Sequence, residues 1–231
     1  MYDLIVIGGG SGGISCATEA RKLGLTVALF DHVSPSASTG KTWGIGGTCV
    51  NVGCIPKKLY HLAAQSHENS LDSGPYGWIG QHSKGHDWPT LRDNVQTYIK
   101  QLNFGYVSKL SDVGVDYINA KAIFKDPKTI EFDFKNLLSG QSTRHELKAH
   151  NFLIAAGGRP RLYPGVPAEL CITSDDIFSL GKDPGTTLVL GGGYIAVECA
   201  GFLKGLGKEV YLANRSTFLR SMDQDMAEKI V

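Results

Sequence analysis

The chain has 231 residues, 42% of them apolar, and a formal net charge of +1. That length suits one large domain or two smaller ones with a real core. The balanced charge gives no reason to expect a nucleic-acid or membrane partner, and no run approaches the roughly 20 apolar residues of a membrane span. Five cysteines, an odd number in a chain too large to need a disulfide framework, argue for a reducing compartment. The N-terminus runs from Met1 straight into an apolar strand without the basic region of a secretory signal. A cytoplasmic protein is expected, or a mitochondrial one whose leader has been removed.

Residues 2–7 read as a buried parallel strand, 12–23 as a closely packed helix rich in small residues, and 26–30 as a second strand, together a βαβ unit. A polar loop covers 32–46. Helical patterning follows over about 55–67 and again over 88–112. Short strand-like runs near 115–118, 122–124 and 129–134 suggest a small antiparallel excursion that returns through the apolar run 151–157. A second βαβ unit has its strand at 188–190, its helix at 194–206 and its next strand at 210–213. The expected class is α/β with two Rossmann-like dinucleotide-binding domains, 1–158 and 159–231. The second is expected to be truncated, because a doubly wound domain uses more parallel strands.

The 29 glycines are about twice the usual share of roughly 7% and cluster at three places. In the first, Gly8, Gly10 and Gly13 form a GxGxxG that also contains Ser11 and Gly12. The first glycine allows a tight turn, the second lets a pyrophosphate approach the backbone, and the third lets helix and strand pack closely. Asp31 ends the following strand, where an acid can bond ribose hydroxyls.

The second cluster runs Gly46-Gly47-Thr48-Cys49-Val50-Asn51-Val52-Gly53-Cys54-Ile55-Pro56-Lys57-Lys58. Cysteines five positions apart on a regular helix would be separated by ~7.5 Å of rise and about 140° of rotation. A disulfide needs Cα atoms within roughly 4.4–6.8 Å, so if the two pair, the helix must be irregular here, as Gly53 and Pro56 allow. A thiolate at a helix N-terminus would be stabilised and reactive. Two inert cysteines, or half of a metal site, are the other readings. No metal site is expected: His82 and His86 sit four apart in a polar stretch and read as surface, and Cys16, Cys171 and Cys199 read as structural.

In the third cluster, Gly191, Gly193 and Ala196 form GxGxxA, with Gly192 and Ile195 between them. No acid ends the next strand. Arg215 and Arg220 follow instead, and two guanidinium groups suit a 2′-phosphate, which favours NADPH.

The cysteine stretch resembles the redox signature of the pyridine nucleotide-disulphide oxidoreductases, which include glutathione reductase, lipoamide dehydrogenase and the large thioredoxin reductases. The resemblance covers essentially the whole chain. It implies FAD at the first glycine loop and NADPH at the second. It implies that Cys49 exchanges with the substrate disulfide and that Cys54 lies against the flavin. Gly47, Thr48, Lys57, Ala122, Ala156 and Gly157 match positions associated with FAD. Tyr194 matches the aromatic residue over the nicotinamide side of the flavin. Glu198 matches the acid that pairs with Lys57, so these two should meet. Ala156 and Val107 depart from the threonine and arginine often found at their positions.

The long segment between Asp31 and Gly46, with Trp43-Gly44 before the glycine pair, looks like the large thioredoxin reductases. So do Leu102-Asn103-Phe104-Gly105-Tyr106 and the Arg215-to-Arg220 spacing. The resemblance therefore implies an enzyme passing electrons from NADPH through FAD and the Cys49–Cys54 disulfide to thioredoxin, homodimeric at full length. Glutathione disulfide as the substrate is the alternative. A cofactor-binding or interaction fragment without turnover is a second alternative, from another class.

Overall fold

The computed structural model describes residues 1–79, 85–135 and 140–230. His82 lies outside them. In chain order the elements are β1 (Tyr2–Ile7), α1 (Ser11–Lys22), β2 (Val27–Asp31), α2 (Gly47–Val52), α3 (Cys54–Asp72) and α4 (Trp88–Asp112). Then come β3 (Asp116–Asn119), β4 (Ile123–Asp126), β5 (Thr129–Lys135), β6 (Ser142–Ile154), β7 (Thr187–Leu190), α5 (Tyr194–Gly205), β8 (Val210–Ala213) and α6 (Gln224–Ile230). Among the described residues no helix is long and apolar enough to cross a membrane.

The chain is α/β with a mixed six-stranded sheet in the order β3-β2-β1-β6-β5-β4, and a separate parallel pair, β7-β8. β1 pairs in parallel with β2, Leu4 opposite Val27 and Ile7 opposite Phe30, and with β6, Ile7 opposite Ile154. Both faces of β1 and β2 are covered, so Leu4–Ile7 and Val27–Phe30 are unbroken apolar runs rather than alternating ones. One face, with Val6, Val27 and Leu29, packs against Ile14 and Ala17 of α1 and Leu110 of α4. The other, with Ile5, Ala28 and Phe30, packs against Ile130 and Phe132 of β5.

The expected antiparallel excursion is smaller than 115–134. β4, β5 and β6 are antiparallel, but β3 pairs in parallel with β2, Ala28 opposite Asp116. The long helix α4 is the reason: a crossover that returns the chain to the same edge delivers the next strand in the same direction. β6 serves both parts. Its first half pairs antiparallel with β5 and its second half parallel with β1.

By packing, the chain divides into Met1–Asn51 with Ile99–Arg159, and Val52–Tyr98 with Pro160–Val231. In the second unit, α3 packs on α5 so closely that a Cβ on Gly205 would come within 2.7 Å of the Ala64 Cβ. Tyr60 of α3 meets Trp88, Phe178 and Phe202 edge-on or tilted, at ring distances of 5.2, 5.5 and 5.2 Å. The Trp88 indole N–H donates to the Leu180 carbonyl at 3.0 Å. Residues 52–98 thus pack with the C-terminal residues, and packing units need not share borders with nucleotide-binding segments.

Candidate active site

The first glycine loop is shaped by close approach. Gly8 has φ of +118°, and a Cβ there would lie 2.2 Å from the Ala155 carbonyl oxygen. Only glycine fits this turn without strain. A Cβ on Gly13 would lie 1.8 Å from the Gly8 carbonyl oxygen, so Gly13 sets how closely α1 approaches β1. Gly10 caps α1 with no side-chain hydrogen bond, and no acid stands in its first turn. The unpaired amides and the positive end of the helix dipole are left for an external anion. Asp31 accepts a hydrogen bond from the Gly9 N–H at 3.0 Å. Burial pushes its carboxyl pKa up, more than the Gly9 and His32 amides pull it down.

These residues open onto a cleft of about 440 Å³. Gly8, Gly10, Ser11, Gly12 and Asp31 form one side. Gly47, Thr48 and Cys49 line it from α2, and Ala156 and Gly157 from the segment after β6. First-turn amides of α1 can donate to an anionic group in this cleft, and the Asp31 carboxylate can accept from hydroxyls there. Gly13 stands behind the cleft as a packing residue, and Ala122 packs against the core strands instead of lining it. Sequence reading used Trp43 only as a subfamily marker and passed over Arg159, and both line the cleft. The Arg159 guanidinium lies 4.5 Å from the Trp43 ring centroid and donates to the Ser34 carbonyl at 2.7 Å. The available signal was a lone tryptophan in a polar loop.

The cysteine stretch is an interrupted helix. Gly46 and Gly47 have φ of +119° and +69°, and a Cβ on Gly47 would fall 2.7 Å from the Gly10 Cα. α2 carries Thr48 and Cys49 and ends at Val52; Gly53 leaves helical geometry at φ −137°, ψ −119°, and α3 starts at Cys54. The backbone between the cysteines is therefore not a regular helix. Cys49 is half-buried and Cys54 is exposed. Cys199 is buried, and burial pushes its thiol pKa up to about 12 despite the nearby Lys57, which leaves it a poor nucleophile.

Lys57, in the first turn of α3, forms an ion pair with Glu198 of α5. Its ammonium also lies 4.7 Å from the Tyr194 ring centroid, so Lys57, Tyr194 and Glu198 are brought together. Tyr194 itself is 51% exposed.

The second glycine loop repeats the first. Gly193 caps α5 with no side-chain bond, no acid lies in the first turn, and the Gly191 N–H donates to the Ala213 carbonyl at 2.9 Å. Ile195 is partly buried in that turn. A Cβ on Gly192 would fall 2.1 Å from Asn214 Nδ2, and that amide donates to the Ser216 and Thr217 carbonyls at 2.7 and 3.1 Å. Asn214, which sequence reading did not single out, thereby fixes the turn that carries Arg215. Arg215 and Arg220 are both exposed beyond β8. The arrangement offers a second anion cradle with two cations beyond the strand that follows it.

Known proteins resemble this chain closely. A thioredoxin reductase, SEP1, of Emiliania huxleyi is 52% identical over 228 residues, which cover 98% of this chain and 44% of that protein. Thioredoxin reductases of two Plasmodium falciparum isolates are each 50% identical over 234 residues, covering 99% of this chain and 42% and 37% of theirs. The chain thus spans less than half the length of these relatives. The family model for pyridine nucleotide-disulphide oxidoreductases matches residues 2–231, and the chain belongs to that family.

Proposed function

We propose that this chain carries the FAD-binding and redox-cysteine portion, 1–158, and an NADPH-binding portion, 159–231, of an enzyme that reduces the disulfide of thioredoxin. The observation that carries the reading is that Cys49 lines the same cleft as the first glycine loop. A cysteine of the proposed redox pair and the proposed dinucleotide cradle therefore face one cleft. The family works generally with FAD and a pyridine nucleotide, and the relatives' names supply thioredoxin as the electron acceptor. The parent protein is proposed to be a homodimer.

Bound FAD would supply acceptance of hydride from NADPH and delivery of two electrons to a disulfide. The chain's own residues do the rest. The first-turn amides of α1 would hold the pyrophosphate, and Asp31 would accept from a ribose hydroxyl. The Gly191–Gly193 loop would hold the second nucleotide, and Arg215 and Arg220 would bind its 2′-phosphate. In the reduced pair, the Cys49 thiolate attacks one sulfur of the substrate disulfide, forms a mixed disulfide and expels the first substrate sulfur as a thiolate. The Cys54 thiolate then attacks the Cys49 sulfur, closing Cys49–Cys54 and expelling the second thiolate. Two electrons leave the pair, and the two substrate thiolates take up two protons from solvent to become thiols. Lys57, paired with Glu198, would supply the positive charge that steadies a reduced flavin.

The test is alkylation of the oxidised, FAD-loaded chain by iodoacetamide without oxygen, read by peptide mass spectrometry. NADPH should expose Cys49 and Cys54 to labelling and leave Cys199 unlabelled. Labelling of the pair that does not respond to NADPH would sink the reading.

A further inference from the structure

A densely bonded side chain beside the cleft is one that the proposed chemistry does not use. Asn51 is 2% exposed and sits in α2, two residues after Cys49. Its Nδ2 donates to the carbonyls of Gly44 at 3.0 Å and Gly47 at 2.9 Å, with a longer approach of 3.4 Å to that of Ile45. Its Oδ1 accepts from Asn103 Nδ2, in α4, at 2.9 Å. Asn103 Nδ2 also donates to the Ile45 carbonyl at 2.6 Å. Two primary amides, 52 residues apart in sequence, thus serve three carbonyls of one four-residue segment. Each fixes the other's orientation, because an amide presents donors on one side and an acceptor on the other.

That segment needs an outside hold. Gly46 and Gly47 both lie in the left-handed region, and a glycine pair has little conformational preference of its own. The segment also has narrow tolerance. The Gly46 N–H donates to the Gly9 carbonyl at 2.8 Å, and Gly47 stands directly against Gly10. A displacement of the segment would therefore reach the first glycine loop and Cys49 together. At Asn103 an aspartate would fill the same space but would set a carboxylate against the Ile45 carbonyl and the Asn51 Oδ1. The requirement is for a donor and not merely for volume.

We infer that Asn103, acting through Asn51, is a positioning residue that holds the Gly46–Cys49 wall of the cleft against the N-terminus of α1. The inference rests on the reading of that cleft as an FAD site. It is tested in the 231-residue chain with Asn103→Ala and Asn103→Asp, either of which alone decides. The control is Arg21→Ala, which removes bonds of 3.1 Å to the Val113 carbonyl and 2.7 Å to the Leu25 carbonyl in the same packing unit. Two quantities are measured: hydrogen exchange of the Gly46 amide without FAD, and FAD affinity by fluorescence titration. Both Asn103 variants should speed Gly46 exchange and weaken FAD binding by about tenfold each, the scale of a lost buried hydrogen bond. Arg21→Ala should lower the thermal midpoint while leaving both quantities within about twofold, as a distant and independent site does. Asn103 variants that lose thermal stability yet keep both quantities within that range would overturn the inference. So would full rescue by aspartate, which would make the role one of filling space. A wild-type chain that binds no FAD would overturn the cofactor reading first and the inference with it, a result distinct from a loss confined to the variants.

Discussion

Adjacent glycines in the first turn of α1 should respond in opposite directions to the same substitution. An added Cβ at Gly12 meets nothing within 4 Å, whereas at Gly13 it falls 1.8 Å from the Gly8 carbonyl oxygen and 3.1 Å from Val6 Cγ1. Gly12→Ala removes backbone freedom from the unfolded chain at no steric cost and should stabilise by about 0.5–1 kcal/mol. Gly13→Ala makes the same entropic gain, but ordinary contact begins near 3.4 Å, so α1 must move about 1.6 Å from β1. Overpacking typically costs ~1–3 kcal/mol, and here the obstacle is backbone that cannot rotate away, so the upper end of that range applies. The entropic gain is common to both, so the two variants should differ by the steric cost alone, roughly 3 kcal/mol. Urea unfolding followed by far-ultraviolet circular dichroism reads the difference, and FAD titration of Gly13→Ala should show binding lost. A Gly13→Ala chain as stable as Gly12→Ala, with FAD affinity intact, would refute the steric account of the loop.

Two further outcomes follow from charge. Burial, aided by the nearby Lys208, lowers the pKa of His86 below its ordinary 6.5, and its Nδ1 is buried with no hydrogen-bond partner among the described residues. In the window between the lowered value and 6.5 the unfolded chain takes up a proton that folded His86 refuses, so stability falls as pH drops through it. His86→Gln should flatten the decline in thermal midpoint between about pH 7 and about pH 5; an unchanged slope would contradict this. Arg215→Ala and Arg220→Ala should each weaken NADPH binding by about tenfold or more and leave NADH binding nearly unchanged. Equal losses for both nucleotides would remove the 2′-phosphate assignment.

Local rules made much of this protein legible in its sequence. The apolar runs at β1, β2 and β7 and the glycine spacings after two of them are short-range signals, because strand burial and tight turns are decided within a few residues. The break at Gly53 is likewise local, since a glycine three residues before Pro56 allows the backbone to leave helical geometry. Other features depended on residues far apart in the chain. The direction of β3 follows from the crossover through α4, which strand propensity does not encode. The division of β6 between parallel and antiparallel partners arises because one strand edge meets β1 and the other β5. α2 is six residues long, too short to be read from periodicity, and is held by tertiary bonds to its entry loop. That Cys49 and the Gly8–Gly13 loop share one cleft, and that Asn103 reaches Asn51 across half a domain of sequence, were decided only when folding brought those segments together. Hydrogen bonds and steric contacts act over a few ångströms of space, and distance along the chain carries no record of them.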